Sequence, residues 1–175
     1  MADGLHFAPD PSSQTASTIG GNLAENSGGP HTLKYGVTTN HILGFTMVMP
    51  NGNIEKFGSK HRYGTELDLV GFITGSEGTL GIITEIIVNL VPNPQTTRTF
   101  LLTFDAVSHA TDCVSAIIKG GVIPSALEMI DNLCIQAVEG KLKAGFPVNA
   151  AAILLVELDG EASSTQWETE QLKNI

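Results

Sequence analysis

The chain has 175 residues, of which 42% are hydrophobic and 15% are charged, and its formal net charge is −9. The hydrophobic share is enough for a packed core and excludes an intrinsically disordered chain. The length fits one domain or two small ones. The negative charge argues against nucleic acid and an anionic membrane surface as partners, because both select a basic protein surface.

Cysteine usage and the hydropathy pattern indicate the compartment. Cys113 and Cys134 form no C-x-x-C pair and no disulfide framework, which favours a reducing compartment and a structural role for both. The N-terminus lacks a charged region followed by an apolar one, so we expect no signal peptide. The longest apolar run, residues 150–156, is too short to span a membrane. We therefore expect a cytoplasmic protein without a transmembrane segment.

The first half of the chain alternates turn-rich and periodic stretches. Ser17 or Thr18 is the expected N-cap of the first helix, and the turn signal at residues 50–53 predicts a β-hairpin. A capping box at Thr65 predicts the start of a second helix. In chain order, the predicted elements are a turn-rich stretch (1–17), a helix (19–26), two strands (42–49 and 54–57), a helix (65–74) and a long buried strand (82–91).

Residues 92–97 follow neither the helical nor the strand periodicity of hydrophobic residues and predict a domain boundary. The β-α-β-α-β-α order beyond it fits an α+β or ferredoxin-like layer of helices on a sheet. Glu128 and Asp131 are interpreted as charges that complement a helix dipole. The predicted elements are a strand (99–104), a helix (108–119), an extended piece (125–129), a helix (131–139), a strand (151–158) and a final helix capped by Ser163 or Ser164.

Two glycine-dense segments carry the functional signal: residues 18–36 and residues 75–84. Glycine lets a ligand approach the main chain without a Cβ in the way, so paired segments of this kind indicate a cofactor laid against backbone. The alternative is that these glycines serve only helix C-caps and tight turns. The Gly75-x-x-Gly78-x-x-Gly81 spacing precedes a strand, unlike the dinucleotide fingerprint, and no phosphate-loop Lys-Ser or Lys-Thr pair occurs.

The motifs in these segments support a family resemblance. The first segment, from Pro9-Asp10-Pro11-Ser12-Ser13 through Ile19-Gly20-Gly21-Asn22 to Lys34-Tyr35-Gly36, closely resembles the FAD-linked oxidases of the vanillyl-alcohol oxidase and p-cresol methylhydroxylase (PCMH) superfamily. Residues 74–82 resemble that family's second FAD segment. Residues 127–133 and 153–160 resemble, more specifically, the glycolate oxidase D subunits.

The resemblance implies a fold and a domain organisation. Residues 1–92 would form the second subdomain of a PCMH-type FAD-binding domain, and residues 93–175 the N-terminal part of a ferredoxin-like cap domain. The family's pyrophosphate loop, substrate arginine and histidine-rich metal site have no match here, so the chain is expected to be a middle fragment. Strands 82–91 and 151–158 would then be partly uncovered, because their usual packing partners lie elsewhere.

The resemblance also implies the cofactor-binding residues. Thr18 would hydrogen-bond FAD, and the backbone at the helix start would face its anionic part. The residues from Gly28 to Gly36 in this set would shape the loop beside the ribityl chain and flavin, with His31 nearby. Glu77 would meet a cofactor hydroxyl or, alternatively, hold its own turn. The complete set is Thr18, Gly20, Gly21, Asn22, Gly28, Gly29, Tyr35, Gly36, Glu77, Gly81 and Ile82.

The implied activity is oxidation of a 2-hydroxy acid, of the glycolate or D-lactate type, by hydride transfer to flavin. Other subunits of a glycolate oxidase complex are the implied partners. No catalytic residue is assigned, and the five histidines, without an i, i+4 pair, predict no metal site. The isolated chain is expected to be inactive. The alternative is a non-catalytic remnant or interaction module, or one piece of a split enzyme.

Overall fold

The computed structural model describes residues 4–61 and 67–175. The chain divides into two compact units, the first ending at Asn93 and the second comprising Pro94–Ile175. Each unit has its own hydrophobic core. No helix in the described part of the chain is long and apolar enough to cross a bilayer.

The first unit is built on an antiparallel sheet of three strands in the order β3-β2-β4. The predicted hairpin is confirmed, with Phe45 opposite Phe57 across its two strands. A second, two-stranded sheet pairs β1 with β5. The elements are β1 (Leu5–His6), α1 (Ile19–Glu25), α2 (Thr32–Tyr35), a 3-10 turn (Thr38–His41), β2 (Ile42–Val48), β3 (Ile54–Gly58), α3 (Leu69–Ile73), β4 (Ile82–Val88) and β5 (Val91–Pro92).

The core of the first unit lies where α1 and α3 pack against one face of the sheet. Strand β2 is central and therefore carries buried residues on both of its faces, with Phe45 and Met47 facing the core. Leu23 of α1 and Ile73 of α3 complete this cluster. Each short helix contributes an apolar side chain, and that side chain is buried against the face of the sheet.

Two predictions for the first unit need correction. The helix at α3 begins at Leu69, capped by Asp68, whose carboxylate accepts the Gly71 N–H; the predicted capping residues Thr65 and Glu66 lie outside the described residues. The predicted long buried strand is shorter and is an edge strand. Its side chains are consequently half open, with Ile82 64% exposed, as expected for a partly uncovered strand.

The second unit is a sheet of three antiparallel strands in the order β6-β8-β7, so the α+β expectation is confirmed. Strands β6 and β7 run parallel, joined by α4, and β8 lies between them, which is a split β-α-β arrangement. The elements are β6 (Thr96–Phe104), α4 (Val107–Lys119), β7 (Ala126–Asp131), α5 (Asn132–Leu142), β8 (Ala152–Gly160) and α6 (Ala162–Lys173).

The position of β8 overturns one expectation. The strand was expected to be partly uncovered, but its neighbours pair with both of its edges and helices cover it, so Ile153, Leu154, Val156 and Leu158 are fully buried. Ile117 of α4 packs on the same cluster as Leu154.

Smaller corrections concern the ends of elements in the second unit. Strand β6 begins at Thr96, three residues before the predicted start. Helix α6 is capped at Glu161 rather than at Ser163 or Ser164, which lie in its first turn. Asp131 lies at the start of α5, as expected, and in addition caps it by accepting the Cys134 N–H, whereas Glu128 lies within β7 and contributes to no helix start.

Truncation of a core residue of β8 tests the role of this strand. We expect Leu154→Ala to lower the free energy of unfolding of the second unit by about 3 kcal/mol, through lost burial and the cavity left behind. Leu142→Ala is the matched control, because Leu142 is 69% exposed, and should change it by less than about 0.5 kcal/mol. Fluorescence of Trp167, the only tryptophan of the chain, follows urea unfolding of this unit. Equal effects of both variants would contradict the assignment.

Candidate functional site

The first glycine segment begins at the N-terminus of α1. Thr18 is the N-cap, and its hydroxyl oxygen accepts the Gly21 N–H at 3.0 Å. The predicted N-cap is therefore confirmed. Asn22 is buried, 8% exposed, and its N–H donates to the Thr18 carbonyl at 2.9 Å. The backbone of Gly20 and Gly21 thus forms the first turn of the helix, on the surface of the unit.

Gly28, Gly29, Tyr35 and Gly36 belong to one loop, residues 28–36, which is closed by hydrogen bonds between its own residues. The Gly29 N–H donates to the Thr32 hydroxyl at 2.8 Å, and the Gly36 N–H donates to the Thr32 carbonyl at 2.8 Å. A Cβ at Gly28 would lie 2.7 Å from the Thr32 hydroxyl. Gly36 has a φ of 82°, in the region that favours glycine. The loop is held by its own hydrogen bonds.

The second segment contributes Glu77, Gly81 and Ile82. Glu77 has a φ of 54°, unusual for a residue other than glycine, and its carboxylate makes no hydrogen bond to a described residue. The described contacts therefore do not support the alternative role, in which this carboxylate would accept hydrogen bonds from backbone N–H groups of its own turn. A Cβ at Gly81 would lie 2.6 Å from the Val48 carbonyl oxygen, and Ile82 pairs with Val48 in the sheet.

Hydrogen bonds join the two segments. The N–H groups of Gly75 and Glu77 donate to the carbonyls of Leu23 and Ala24, both at 2.9 Å, at the C-terminal end of α1. The Leu23 carbonyl also accepts the N–H of the C-cap residue Asn26, at 3.2 Å, so the second segment adds a partner there and supplies one for Ala24. Helix α1 is about 10 Å long. A ligand of the length of a dinucleotide could therefore reach both segments.

The structure separates glycines that the protein needs for its own packing from glycines that it does not. Cβ atoms at Gly28, Gly29, Gly36 and Gly81 would overlap neighbouring atoms of the chain. A Cβ at Gly20 would meet only the Thr18 hydroxyl, at 4.0 Å, and one at Gly21 the same atom at 3.3 Å. Both lie within a helix, where glycine costs up to about 1 kcal/mol relative to alanine. No packing contact among the described residues requires Gly20, whereas a Cβ at Gly21 would press on the Thr18 hydroxyl that caps the helix.

Three histidines gather around Tyr35, a grouping that sequence reasoning missed. The His6 and His31 rings meet the Tyr35 ring edge-on, at centroid distances of 6.2 and 6.4 Å. His41 is buried and its Nε2 donates to the Tyr35 carbonyl at 2.8 Å. Among residues 4–61 and 67–175, no group of three metal-ligating side chains has the geometry of a metal site. No i, i+4 spacing in the sequence signals this grouping.

The two cysteines differ in their surroundings. Cys113 packs against the core of the second unit, and burial raises the pKa of its thiol. Cys134 is exposed, so the predicted structural role is wrong for this residue. A hydrogen bond with the Asp131 carboxylate, and the charge of that group, raise the pKa of the Cys134 thiol.

The comparisons with known proteins match each of the two units to a domain family. Residues 1–58 match the family described as FAD binding domain, and residues 93–175 match FAD linked oxidases, C-terminal domain. The fold is similar to that of a solved alkyldihydroxyacetonephosphate synthase, with a TM-score of 0.80 and 24% identity over 98% of this chain and 35% of that one. This structural likeness supports the fold.

Curated relatives are more similar in sequence. The glycolate oxidase subunit GlcD of Escherichia coli (strain K12) is 47% identical over 171 residues, covering 98% of this chain and 34% of that protein. GlcD of Bacillus subtilis (strain 168) is 43% identical, covering 98% and 37%. A D-lactate dehydrogenase of Anaerostipes hadrus is 32% identical, covering 98% and 36%. The chain spans about a third of the length of these relatives.

The chain belongs to the FAD-linked oxidases, a family whose cofactor is FAD. The residues present fit the cofactor in two respects. Gly20 and Gly21 leave a stretch of helical backbone open where a Cβ would otherwise project. The Glu77 carboxylate, exposed in a turn hydrogen-bonded to α1, is an acceptor suited to a hydroxyl group.

The two kinds of glycine predict opposite stability effects. Gly20→Ala should raise the free energy of unfolding of the first unit by about 0.5 kcal/mol, because alanine favours the helix and meets no neighbour. Gly29→Ala should lower it by about 2 kcal/mol, since its Cβ would overlap the Asp10 carbonyl. Thermal unfolding followed by far-UV circular dichroism measures both. A destabilising Gly20→Ala would show that the protein's own packing requires this glycine.

The Cys134 environment predicts a change in thiol reactivity. Asp131→Asn removes the negative charge that disfavours the thiolate, so the pKa should fall and alkylation of Cys134 at pH 8 should become faster. Asparagine is also a good N-cap, so α5 should stay intact. Mass spectrometry after timed iodoacetamide treatment gives both rates, with Cys113 as the internal reference. An unchanged ratio of the two rates would refute this electrostatic coupling.

Proposed function

We propose that this chain is the part of an FAD-dependent 2-hydroxy-acid oxidoreductase that holds FAD along α1 and the second glycine segment. The observation that carries the proposal is the open backbone of Gly20 and Gly21. Gly20 costs helix stability although no described packing contact requires it, and a Cβ at Gly21 would meet only the Thr18 hydroxyl. A ligand lying against this backbone explains both glycines. The FAD-binding family match over residues 1–58 supports FAD as this ligand.

The residues of the site would have distinct tasks. Thr18 already accepts the Gly21 N–H, and its hydroxyl proton remains available to donate to a cofactor oxygen. Gly20, Gly21 and Asn22 would present backbone, while Glu77 would accept from a hydroxyl of FAD. Gly28, Gly29 and Gly36 would keep the loop compact so that Tyr35 is held beside the flavin. Gly81 and Ile82 would set the start of β4 next to the cofactor.

The domain assignment and the substrate belong to the same proposal. Residues 1–92 would be the FAD-binding part and residues 93–175 the start of the cap. Bound FAD accepts a hydride in this chemistry, and the protein provides orientation and electrostatics. GlcD relatives and D-lactate dehydrogenases at 32–47% identity favour glycolate or D-lactate as the substrate. Further glycolate oxidase subunits as partners, and a cytoplasmic location, remain expectations.

A chimera tests the proposal. The chain replaces the matched region of E. coli GlcD, which supplies the remaining two thirds of a relative. We expect the chimera to retain FAD through gel filtration and to oxidise glycolate or D-lactate with an artificial electron acceptor. Gly20→Ala and Gly21→Val should each lower flavin occupancy, by about tenfold or more for Gly21→Val, because a side chain displaces ligand from backbone.

Two controls make the outcome specific to the cofactor. Cys113 lies in α4 of the second unit, so the Cys113→Ser variant should have an unchanged flavin spectrum. Gly20→Ala should lose flavin while its unfolding temperature in the absence of FAD is equal to or above that of the unsubstituted chimera. Full flavin occupancy in Gly21→Val, or loss of flavin in Cys113→Ser, would show that the cofactor is placed wrongly.

A further inference from the structure

Asp10 connects the N-terminal segment to the first glycine loop. Its Oδ2 accepts the His31 Nδ1–H at 2.5 Å, across 21 positions of sequence. The Asp10 and His31 side chains are 24% and 31% exposed, so the contact is partly shielded from water. A charged hydrogen bond in such a setting is stronger than one at an open surface.

The same residue packs directly on Gly29. A Cβ on Gly29 would overlap the Asp10 carbonyl oxygen and would lie 2.5 Å from Oδ1. Pro9 and Pro11, on either side of Asp10, are both buried, and their rings restrict the backbone that carries the carboxylate. Asp10 therefore meets the loop at a fixed place. Its Oδ1 is buried without a hydrogen-bond partner among the described residues.

His31, which Asp10 holds, is also in contact with Tyr35. The His31 carbonyl accepts the Tyr35 N–H at 3.0 Å, and the two rings meet edge-on. The Tyr35 carbonyl accepts a hydrogen bond from His41 Nε2. A shift of His31 would thus move the only aromatic side chain among the predicted cofactor-binding residues.

We propose that Asp10 and His31 are a positioning pair, which holds the loop of residues 28–36 and the Tyr35 ring in the arrangement that flavin binding uses. The pair acts through Gly29 and Tyr35. Its connection to flavin rests on the proposed function, whereas its effect on the loop does not.

Amide hydrogen exchange of the 175-residue chain, without FAD, tests the pair. Asp10→Asn and His31→Gln should each speed exchange at Gly29, Tyr35 and Gly36 by about tenfold or more, the factor expected on losing a charged hydrogen bond. The double variant should be no faster than the faster single one, because both remove the same contact. Exchange in β8, within the other unit, should not change.

The chain contains a matched control pair. His109 Nδ1 and the Asp105 carboxylate are 2.8 Å apart, but the side chains are 62% and 89% exposed. Asp105→Asn and His109→Gln should leave exchange in residues 28–36 within about twofold of the native rate. His31→Arg provides the rescue, because guanidinium is a cation with a fork of donors that can also reach Oδ1. It should restore slow exchange to within about twofold of native.

The results separate the two proposals. Single variants that change loop exchange by less than about twofold, or that act additively, would overturn the positioning pair. Failure of His31→Arg to restore slow exchange would do the same. In the GlcD chimera, the Asp10→Asn and His31→Gln variants should lose flavin and the His31→Arg variant should keep it. A chimera that never binds FAD would refute the proposed function alone, since the exchange result stands without flavin.

Discussion

The two hydrogen bonds at the C-terminal end of α1 are the constraint on which the candidate site depends. Leu23 and Ala24 lie one turn after the Gly20-Gly21 backbone, and their carbonyls receive the N–H groups of Gly75 and Glu77. A helix of seven residues has little stability alone, so its end must be satisfied by another part of the fold. The second glycine segment does this and is thereby placed beside the first.

This arrangement gives the glycines two separate explanations. Gly28, Gly29, Gly36 and Gly81 are required by close contacts within the chain, as Gly29 is by Asp10 and Gly81 by Val48. Gly20 is different, because a Cβ there would meet no close neighbour and the helix would be more stable with alanine, and at Gly21 only the Thr18 hydroxyl lies near. The conclusion about cofactor binding therefore depends on two glycines rather than on the richness of the whole segment.

The second unit shows how one strand position decides the packing of a whole layer. Strand β8 is central, so Ile153, Leu154 and Val156 of its apolar run are fully buried by neighbouring strands and helices, and Leu155 is half-buried. Strand β4 of the first unit has a similar isoleucine- and valine-rich sequence, yet it lies at an edge and leaves Ile82 open. Equal hydrophobicity thus has opposite consequences for solvent exposure.

The sequence by itself determined the local features of this protein and its family. The Thr18 cap, the hairpin formed by β2 and β3 and the glycine motifs depend on residues a few positions apart, whose hydrogen bonds and backbone preferences hold wherever the segment is placed. Only the tertiary structure decided which glycines are needed for packing, which strand is central, and that Asp10 meets His31. These depend on contacts between residues far apart in sequence, and no local preference encodes such contacts. For the same reason, the edge position of β4 and the exposure of its side chains could not be predicted.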